Sequence, residues 1–271
     1  MSAHAGTPAA RRKGPITRAM EGIGEFGLFS ASAMAAIAGV WHYTSEILRQ
    51  TGILIVGSTL AALSLPFIIG GECSLYGDYF LRSAGAQDYL GLVTSYCAGR
   101  GVVPLFFGYI FAAKVGCGLV AEIGSMRISE ELDAFESVGV DPMRFVVATR
   151  IAGVALFVVA IFPLASLATS IGAELTALHQ LQTVSKGGFL AAHWNLQGVG
   201  DLAFTFTTLS MIALSNTLVA CYYGYRVRGG PVEVGTATSR SMVVNLVLIH
   251  VIYATMIAVW YGINPYLPIG G

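Results

Sequence analysis

Long apolar runs separated by shorter polar segments form the main pattern along the chain. Five of these runs are long enough for a membrane span, which needs about 20 residues at a rise of about 1.5 Å each. They cover residues 52–70, 102–121, 151–173, 202–225 and 242–265, and only the second contains a charged residue, Lys114. The pattern predicts an all-α membrane protein with five transmembrane helices.

The amino-acid composition agrees with this prediction and excludes other classes. Hydrophobic residues make up 55% of the 271 positions and charged residues 11%, whereas roughly 25% of a typical soluble domain is charged. A soluble protein with so few charged residues could not cover its surface with polar groups. The same composition excludes a disordered chain, a coiled coil and a disulfide scaffold. Fifteen basic residues balance fifteen acidic ones, so no overall basic field attracts nucleic acid.

A sixth apolar run, residues 26–43, is rich in small side chains, and the distribution of Lys and Arg decides its interpretation. With five spans and a cytoplasmic N-terminus, eleven basic residues fall inside and three outside, as the positive-inside rule requires. A sixth span would put the basic N-terminus or both later basic loops outside. We therefore predict a basic cytoplasmic tail (1–19), an interfacial helix (20–48) and a membrane domain (49–271) whose C-terminus lies outside. A true first span is the alternative.

The segment between the second and third spans predicts a short amphipathic helix, residues 129–139. Ser129 is suited to cap its N-terminus and Gly139 to end it. One face is apolar and the other is acidic. The apolar face comprises Ile128, Leu132 and Phe135, and the acidic groups are Glu130, Glu131, Asp133 and Glu136. Because so short a helix is marginal alone in water, its apolar face packs either on its own bundle or in the groove of a cytoplasmic partner.

Three stretches of sequence carry a resemblance to a known family. They are KVGCGLVAEIGSMRISEELDAFESVGVDPMRFVVATR at residues 114–150, CYYGYRVRGGPVEVGTATSRSM at 221–242 and YGINP at 261–265. The first resembles the signature of MlaE/YrbE permeases, the membrane subunits of lipid-transporting ABC systems that work with MCE proteins. The other two resemble the B-type YrbE subunit of actinobacterial Mce operons in particular. The resemblance covers residues 40–268.

This resemblance implies that the short helix is a coupling helix, seated in a cleft of an ATPase subunit. Leu132 and Phe135 would be its apolar anchors, because a few buried side chains carry most of the binding energy at many interfaces. The acidic members of the coupling segment would set its register against basic groups, and they are Glu130, Glu131, Asp133 and Glu136. Ser129, at the start of the helix, belongs to the same segment. On this basis we expect Phe135→Ala to weaken ATPase association more than Glu131→Ala does.

The chain shows no nucleotide site of its own, because it contains no Gly-Lys pair and therefore no phosphate-binding loop of the usual kind. It also shows no catalytic motif and no metal-binding motif. The resemblance implies that no cofactor is held by this chain. It implies a cytoplasmic ABC ATPase dimer that binds ATP and Mg, a homologous A-type YrbE subunit and MCE-domain proteins as partners. The implied cargo is a lipid, fatty acid or sterol crossing the inner (plasma) membrane. A secondary transporter and a non-transporting scaffold are the competing classes.

Two features of the second span concern contacts inside the membrane. Gly108, Ala112 and Gly116 form a stripe of small residues, of the kind that lets helices approach closely. Lys114 is a charge deep in a span, which costs about 2.5–3.5 kcal/mol or more at the bilayer centre. Its side chain is expected either to snorkel to the interface, to contact a lipid head group or to bond a facing carbonyl.

Two further groups of residues leave alternatives open. Arg226, Arg228 and Arg240 belong to the second cytoplasmic turn, after the fourth span. They are either markers of the positive-inside rule or contacts to the ATPase. Cys73 and Cys97 flank a predicted outer loop, and they either form a disulfide or remain free thiols.

Overall fold

The computed structural model describes residues 14–195 and 197–262, and nearly all of these residues are helical, with no strand in either range. This confirms the predicted all-α fold. The predicted basic tail falls outside the described residues as far as position 13. The α-helices of the described chain are α1 Pro15–Ile37, α2 Thr44–Ser83, α3 Leu90–Tyr96, α4 Val103–Ile110, α5 Cys117–Ile128, α6 Glu131–Ser137, α7 Thr149–Leu175, α8 Lys186–Asn195, α9 Val199–Tyr225 and α10 Pro231–Tyr261.

Five continuous helical stretches are long and apolar enough to cross a membrane, which confirms the predicted number of spans. We call them the first to fifth span; they are Val40–Ser83, Val103–Ile128, Met143–Leu181, Val199–Tyr225 and Pro231–Tyr261. Each is longer than the apolar run that predicted it, because the helices continue into polar sequence. α6 lies at one end of this bundle and α8 at the other, and these ends are called the α6 end and the α8 end below.

The N-terminal helix α1 is not among the five spans. It ends at Ile37, and a 3₁₀ turn, Val40–Tyr43, leads into α2 at Thr44. The predicted interfacial helix therefore extended too far, because residues 44–48 belong to the helix of the first span. α1 rests on the end of the fourth span, where Phe29 packs on the ring of Tyr222 at a centroid distance of 5.6 Å. Its placement at the membrane interface stays a prediction.

The second span lies in the centre of the bundle. Phe107 packs on Phe157 of the third span at a centroid distance of 6.3 Å. The stripe of Gly108, Ala112 and Gly116 faces the fourth and fifth spans: Ala112 is fully buried, and a Cβ atom at Gly108 would press on isoleucines of both spans. The small residues thus serve close packing within this chain.

The first and third spans pack backbone to backbone where they cross. A Cβ atom at Gly172 would overlap the carbonyl oxygen of Phe67, and one at Gly70 would overlap the backbone of the third span. At the same crossing, Ser74 donates a 2.8 Å hydrogen bond to the carbonyl oxygen of Ala173. Only glycine permits this approach, because any side chain would stand where the opposite backbone lies.

The α8 end consists of packed helices rather than of extended loops. The helix of the first span continues to Ser83, and α3 packs against α8. A disulfide joins Cys73 of the first span to Cys97, just before the second span, with their Cα atoms 6.0 Å apart. Of the two alternatives for these cysteines, the structure therefore shows the bonded one. The disulfide ties the first span to the entry of the second.

A buried histidine holds the same end together. His193 of α8 is 1% exposed. Its ring shares hydrogen bonds with the hydroxyls of Thr94, at 3.1 Å, and Ser170, at 3.2 Å, and with the amide of Gln197, at 3.1 Å. It also stacks on Phe189 with ring centroids 5.5 Å apart. Burial lowers the pKa of His193 to about 4, since no water solvates the charged ring.

His193 makes stability depend on pH in a defined window. An unfolded histidine has a pKa of about 6.5. Between this value and a pH of about 4, residue 193 therefore binds a proton in the unfolded chain but not in the folded chain. The free energy of unfolding therefore falls as pH decreases through this window, and His193 adds no further loss below it. We expect His193→Gln to remove this part of the acid sensitivity, measured as melting temperature against pH in detergent.

The control for this measurement is His179→Gln, because His179 is exposed at the same end of the bundle. This variant should keep the pH dependence of the wild type. An unchanged pH dependence in His193→Gln would contradict the prediction.

Candidate functional site

The helix predicted between the second and third spans exists, but its N-terminus differs from the prediction. It begins at Glu131, and Glu130 before it takes a left-handed conformation with φ of 61°. Ser129 was predicted as the N-cap, and this is wrong because Ser129 ends α5 instead. Its hydroxyl lies 2.9 Å from the carbonyl oxygen of Ser125 and 3.0 Å from the carboxylate of Glu131, and its one hydrogen is shared between these two acceptors.

The C-terminus of α6 ends as the sequence predicts. Gly139 takes φ of 79°, which suits glycine. The amide of Gly139 donates to the carbonyl oxygen of Glu136 at 3.0 Å, and the amide of Val140 donates to that of Phe135 at 2.9 Å. These two bonds form a Schellman motif, which satisfies carbonyls that the helix end leaves free. Asp141 then accepts a 2.9 Å bond from a main-chain amide that opens the third span. Both ends of α6 are therefore fixed.

The apolar face of α6 packs on this chain's own bundle. Leu132 is 1% exposed and lies in a cluster with Val146, Val147 and Cys221. Leu132 therefore cannot be an anchor that enters a partner's cleft, which corrects that expectation. Phe135 is half-buried, and its ring lies 5.1 Å from that of Phe145 between centroids. The ranking of Phe135→Ala above Glu131→Ala stays a prediction.

The outward face of α6 combines acidic groups with one large apolar side chain. Val138, at the tip, is 73% exposed. Asp133 pairs with Arg127 at 2.7 Å, which satisfies one of the acids. Glu130 and Glu136 are exposed and form no ion pair within the described residues. This face can offer an apolar contact and two free carboxylates to another protein.

The second turn at the α6 end brings its three arginines to one recess. Arg226, Arg228 and Arg240 line a recess of about 310 Å³ between the end of the fourth span and the start of the fifth. Arg226 also pairs with Glu25 of α1 at 2.8 Å and lies over the ring of Tyr222. The turn therefore exposes basic side chains at the α6 end and is linked to α1. A contact of these arginines to an ATPase stays a prediction.

A buried ion pair joins the two ends of the segment that contains α6, residues 122–150, which we call the α6 hairpin. The guanidinium of Arg150 donates to the carboxylate of Glu122 at 2.6 Å and to the carbonyl oxygen of Val146 at 2.8 Å. The side chain of Arg150 is 4% exposed and that of Glu122 43%. The pair joins the second span to the third on either side of α6. Sequence reasoning counted Arg150 only as a cytoplasmic charge and did not identify its partner.

Lys114 lies near the middle of the second span, inside a π-helical turn, Phe111–Gly116. Its side chain is exposed and lines a recess between the first and second spans. It forms no hydrogen bond or ion pair within the part of the chain that the structure describes. The structure thus shows neither the carbonyl bond nor a counter-ion for this charge.

Comparison with known proteins places this arrangement in context. A family model described as Permease MlaE matches residues 47–259. The chain is 24% identical to a probable ABC transporter permease protein of Rickettsia prowazekii over 84% of this chain and 88% of the relative. It is 27% identical to the intermembrane phospholipid transport system permease protein MlaE of Haemophilus influenzae, over 82% and 85% of the two chains. The α6 hairpin lies within the matched region.

Proposed function

We propose that this chain, which belongs to the MlaE permease family, is the membrane subunit of an ATP-binding-cassette transporter that moves lipid across the inner membrane. The relative from Haemophilus influenzae is named for intermembrane phospholipid transport, and five spans suit a permease. The observation that carries the proposal is α6, a short helix fixed at both ends with an exposed outward face.

A helix of two turns is unstable alone in water, yet α6 is held rigidly. Burial of Leu132 fixes it to the bundle, and the Arg150–Glu122 ion pair joins the spans on either side of it. A push on the outward face would therefore move the second and third spans rather than deform the helix. This is the property that a coupling helix needs, with ATP and Mg bound by a separate ATPase dimer.

We propose that the α6 end is cytoplasmic. The positive-inside rule supports this orientation by eleven basic residues to three. The disulfide between Cys73 and Cys97 supports it independently, because it lies toward the α8 end and disulfides persist in oxidising compartments outside the cytosol. The N-terminus would then be inside and the C-terminus outside.

The remaining partners follow from the sequence motifs of residues 221–242 and 261–265. We propose that this chain is the B-type subunit of an Mce system and pairs with a homologous A-type YrbE subunit. MCE-domain proteins would carry the lipid on the outer side. Arg226, Arg228 and Arg240 are proposed as a second contact to the ATPase, because they lie at the same end as α6.

The test is co-purification of the ATPase with the tagged chain from native membranes. We expect Val138→Asp to weaken this association about tenfold, which corresponds to about 1.4 kcal/mol, because it puts a charge at the apolar tip of α6. Val199→Asp is the matched control, since Val199 is 84% exposed at the α8 end; it should retain the ATPase fully.

Two results would contradict the proposal. One is equal ATPase recovery with Val138→Asp and with wild type. The other is a wild-type chain that emerges without any ATPase even after crosslinking, which would favour a secondary transporter or a scaffold. Because the ATPase is cytoplasmic, its capture through α6 also tests the proposed orientation.

A further inference from the structure

Three segments of the chain meet at one carboxylate at the α8 end. The side chain of Arg100, just before the second span, donates from Nε to Oδ1 of Asp201 at 2.7 Å, and the hydroxyl of Tyr261 donates to the same oxygen at 2.8 Å. The guanidinium of Arg100 also lies over the ring of Tyr261, 4.5 Å from its centroid. Asp201 belongs to the fourth span, and Tyr261 ends the fifth. Tyr261 is also the first residue of the YGINP stretch, residues 261–265.

The fifth span is buried only along its first part. Within α10, all of whose residues are described, Ile249 is the last buried residue, and every later one is at least partly exposed. Ile249 packs against the second span, where a Cβ atom at Gly108 would lie 3.2 Å from its side chain. Next to this contact, His250 shares a 2.8 Å hydrogen bond with the hydroxyl of Tyr109. The 12 residues that follow Ile249, residues 250–261, extend about 18 Å along the helix, and we call them the distal segment.

The far part of the distal segment is held by contacts that water can reach. The hydroxyl of Tyr253 donates to the carbonyl oxygen of Arg100 at 3.0 Å, and the ring of Tyr261 packs on that of Phe204 with centroids 4.9 Å apart. The side chains of Arg100 and Asp201 are 20% and 15% exposed, so water can take over their hydrogen bonds when they separate. Such a pair is less costly to separate than a fully buried one. The cluster therefore suits a contact that breaks and forms again.

The helix α10 connects the two ends of the bundle without interruption. Its first turns line the basic recess at the α6 end, and its last residue joins the cluster around Asp201. From Thr236 to Tyr261 it contains no proline, glycine or π turn, which are the features at which helices kink. The helix therefore moves as one rod. A displacement of its start tilts it about Ile249 and moves Tyr261 in the opposite direction.

We propose that Arg100, Asp201 and Tyr261 form a latch that opens and closes during transport. In the closed state, which the structure shows, the distal segment lies against the fourth span. In the open state both hydrogen bonds to Asp201 are broken, and water solvates its carboxylate and the guanidinium of Arg100. The distal segment then tilts away about Ile249, which opens the α8 end of the bundle between the fourth and fifth spans. This inference rests on the proposed function, because the force on the start of α10 would come from the ATPase.

The test measures the distance between the fourth and fifth spans at the α8 end by pulsed electron spin resonance. The full-length chain, with the partners that accompany it, is placed in nanodiscs. Spin labels are attached at Val199→Cys and Val259→Cys, because these positions are 84% and 74% exposed and lie outside the latch. Cys117→Ala and Cys221→Ala remove the free thiols.

Two variants remove parts of the latch without removing its rings. We expect Tyr261→Phe to raise the ratio of long to short distances about tenfold, the effect of losing one hydrogen bond to a charged group. Asp201→Asn should change the ratio in the same direction. Arg82→Gln is the control, because it breaks a 2.9 Å ion pair with Asp78 that lies at the same end of the bundle but within α2. It should keep the wild-type ratio.

Addition of ATP distinguishes a latch from a fixed brace. With the ATPase bound, ATP should change the ratio of long to short distances in the wild type. Unchanged distances in both variants overturn the inference, as does a wild-type ratio that ATP does not alter although the ATPase is present. Loss of folded protein in both variants also overturns it, because the cluster would then be needed for folding. A preparation without any ATPase rejects the proposed function instead, and the variants still show without nucleotide whether the cluster controls the separation of the two spans.

Discussion

Gly172→Ala is expected to destabilise the protein by about 3 kcal/mol, the upper end of the usual cost of overpacking. The added methyl group would overlap the carbonyl oxygen of Phe67 in the first span. A flexible side chain could turn away from such a contact, but a backbone carbonyl inside a helix cannot. The first and third spans would have to separate along the crossing, which would also strain the hydrogen bond from Ser74 to Ala173.

The measurement is thermal unfolding of the purified protein in detergent, together with its size-exclusion profile. Gly70→Ala should behave like Gly172→Ala, because it meets the same crossing from the other side. Gly52→Ala is the matched control: Gly52 lies in the helix of the first span with no atom near its Cβ position. Since alanine favours a helix over glycine by about 0.5–1 kcal/mol, the control should be neutral or stabilising. Equal melting temperatures for Gly172→Ala and Gly52→Ala would contradict the prediction.

The spans could be predicted from the sequence because the hydrocarbon core of a bilayer requires nearly every residue of a run of about 20 to be apolar. The small-residue stripe of Gly108, Ala112 and Gly116 could be found too, since its spacing is visible within one helix. The crossing at Gly70 and Gly172 could not, because its partners are 102 residues apart and neither belongs to a repeated pattern. Such contacts depend on how whole helices are arranged, which a single sequence does not show.

In the α6 hairpin too, features set by neighbouring residues could be predicted, and features set by tertiary contacts could not. Its acidic face and its stop at Gly139 depend on neighbouring residues and were predictable, whereas its length was not, since α6 covers only Glu131–Ser137 of the predicted residues 129–139. The direction of its apolar face was not, because burial of Leu132 depends on side chains of the third and fourth spans. Ser129 failed as a cap for a local reason: the helix of the second span continues to Ile128, and the left-handed Glu130 separates it from α6.

Glu122→Met is expected to cost about 3 kcal/mol, because it leaves the guanidinium of Arg150 buried without its carboxylate. Breaking a buried ion pair from one side typically costs about 3–5 kcal/mol. The lower end applies here, since the side chain of Glu122 is 43% exposed whereas that of Arg150 is 4% exposed. The same asymmetry makes Arg150→Met the milder change: it removes the buried charge and leaves a carboxylate that water can reach.

A double-mutant cycle distinguishes this explanation from a simple loss of packing. If an uncompensated charge causes the damage, the double variant Glu122→Met with Arg150→Met should be more stable than Glu122→Met alone, since two apolar side chains can replace a buried pair at little cost. Arg144→Met is the control, because its pair with Asp141 is exposed and should contribute at most about 1 kcal/mol. Unfolding in detergent gives the stability of the wild type, the two single variants, the double variant and the control. Strictly additive losses would exclude the charge explanation, and the ion pair could then no longer account for the rigid base of α6.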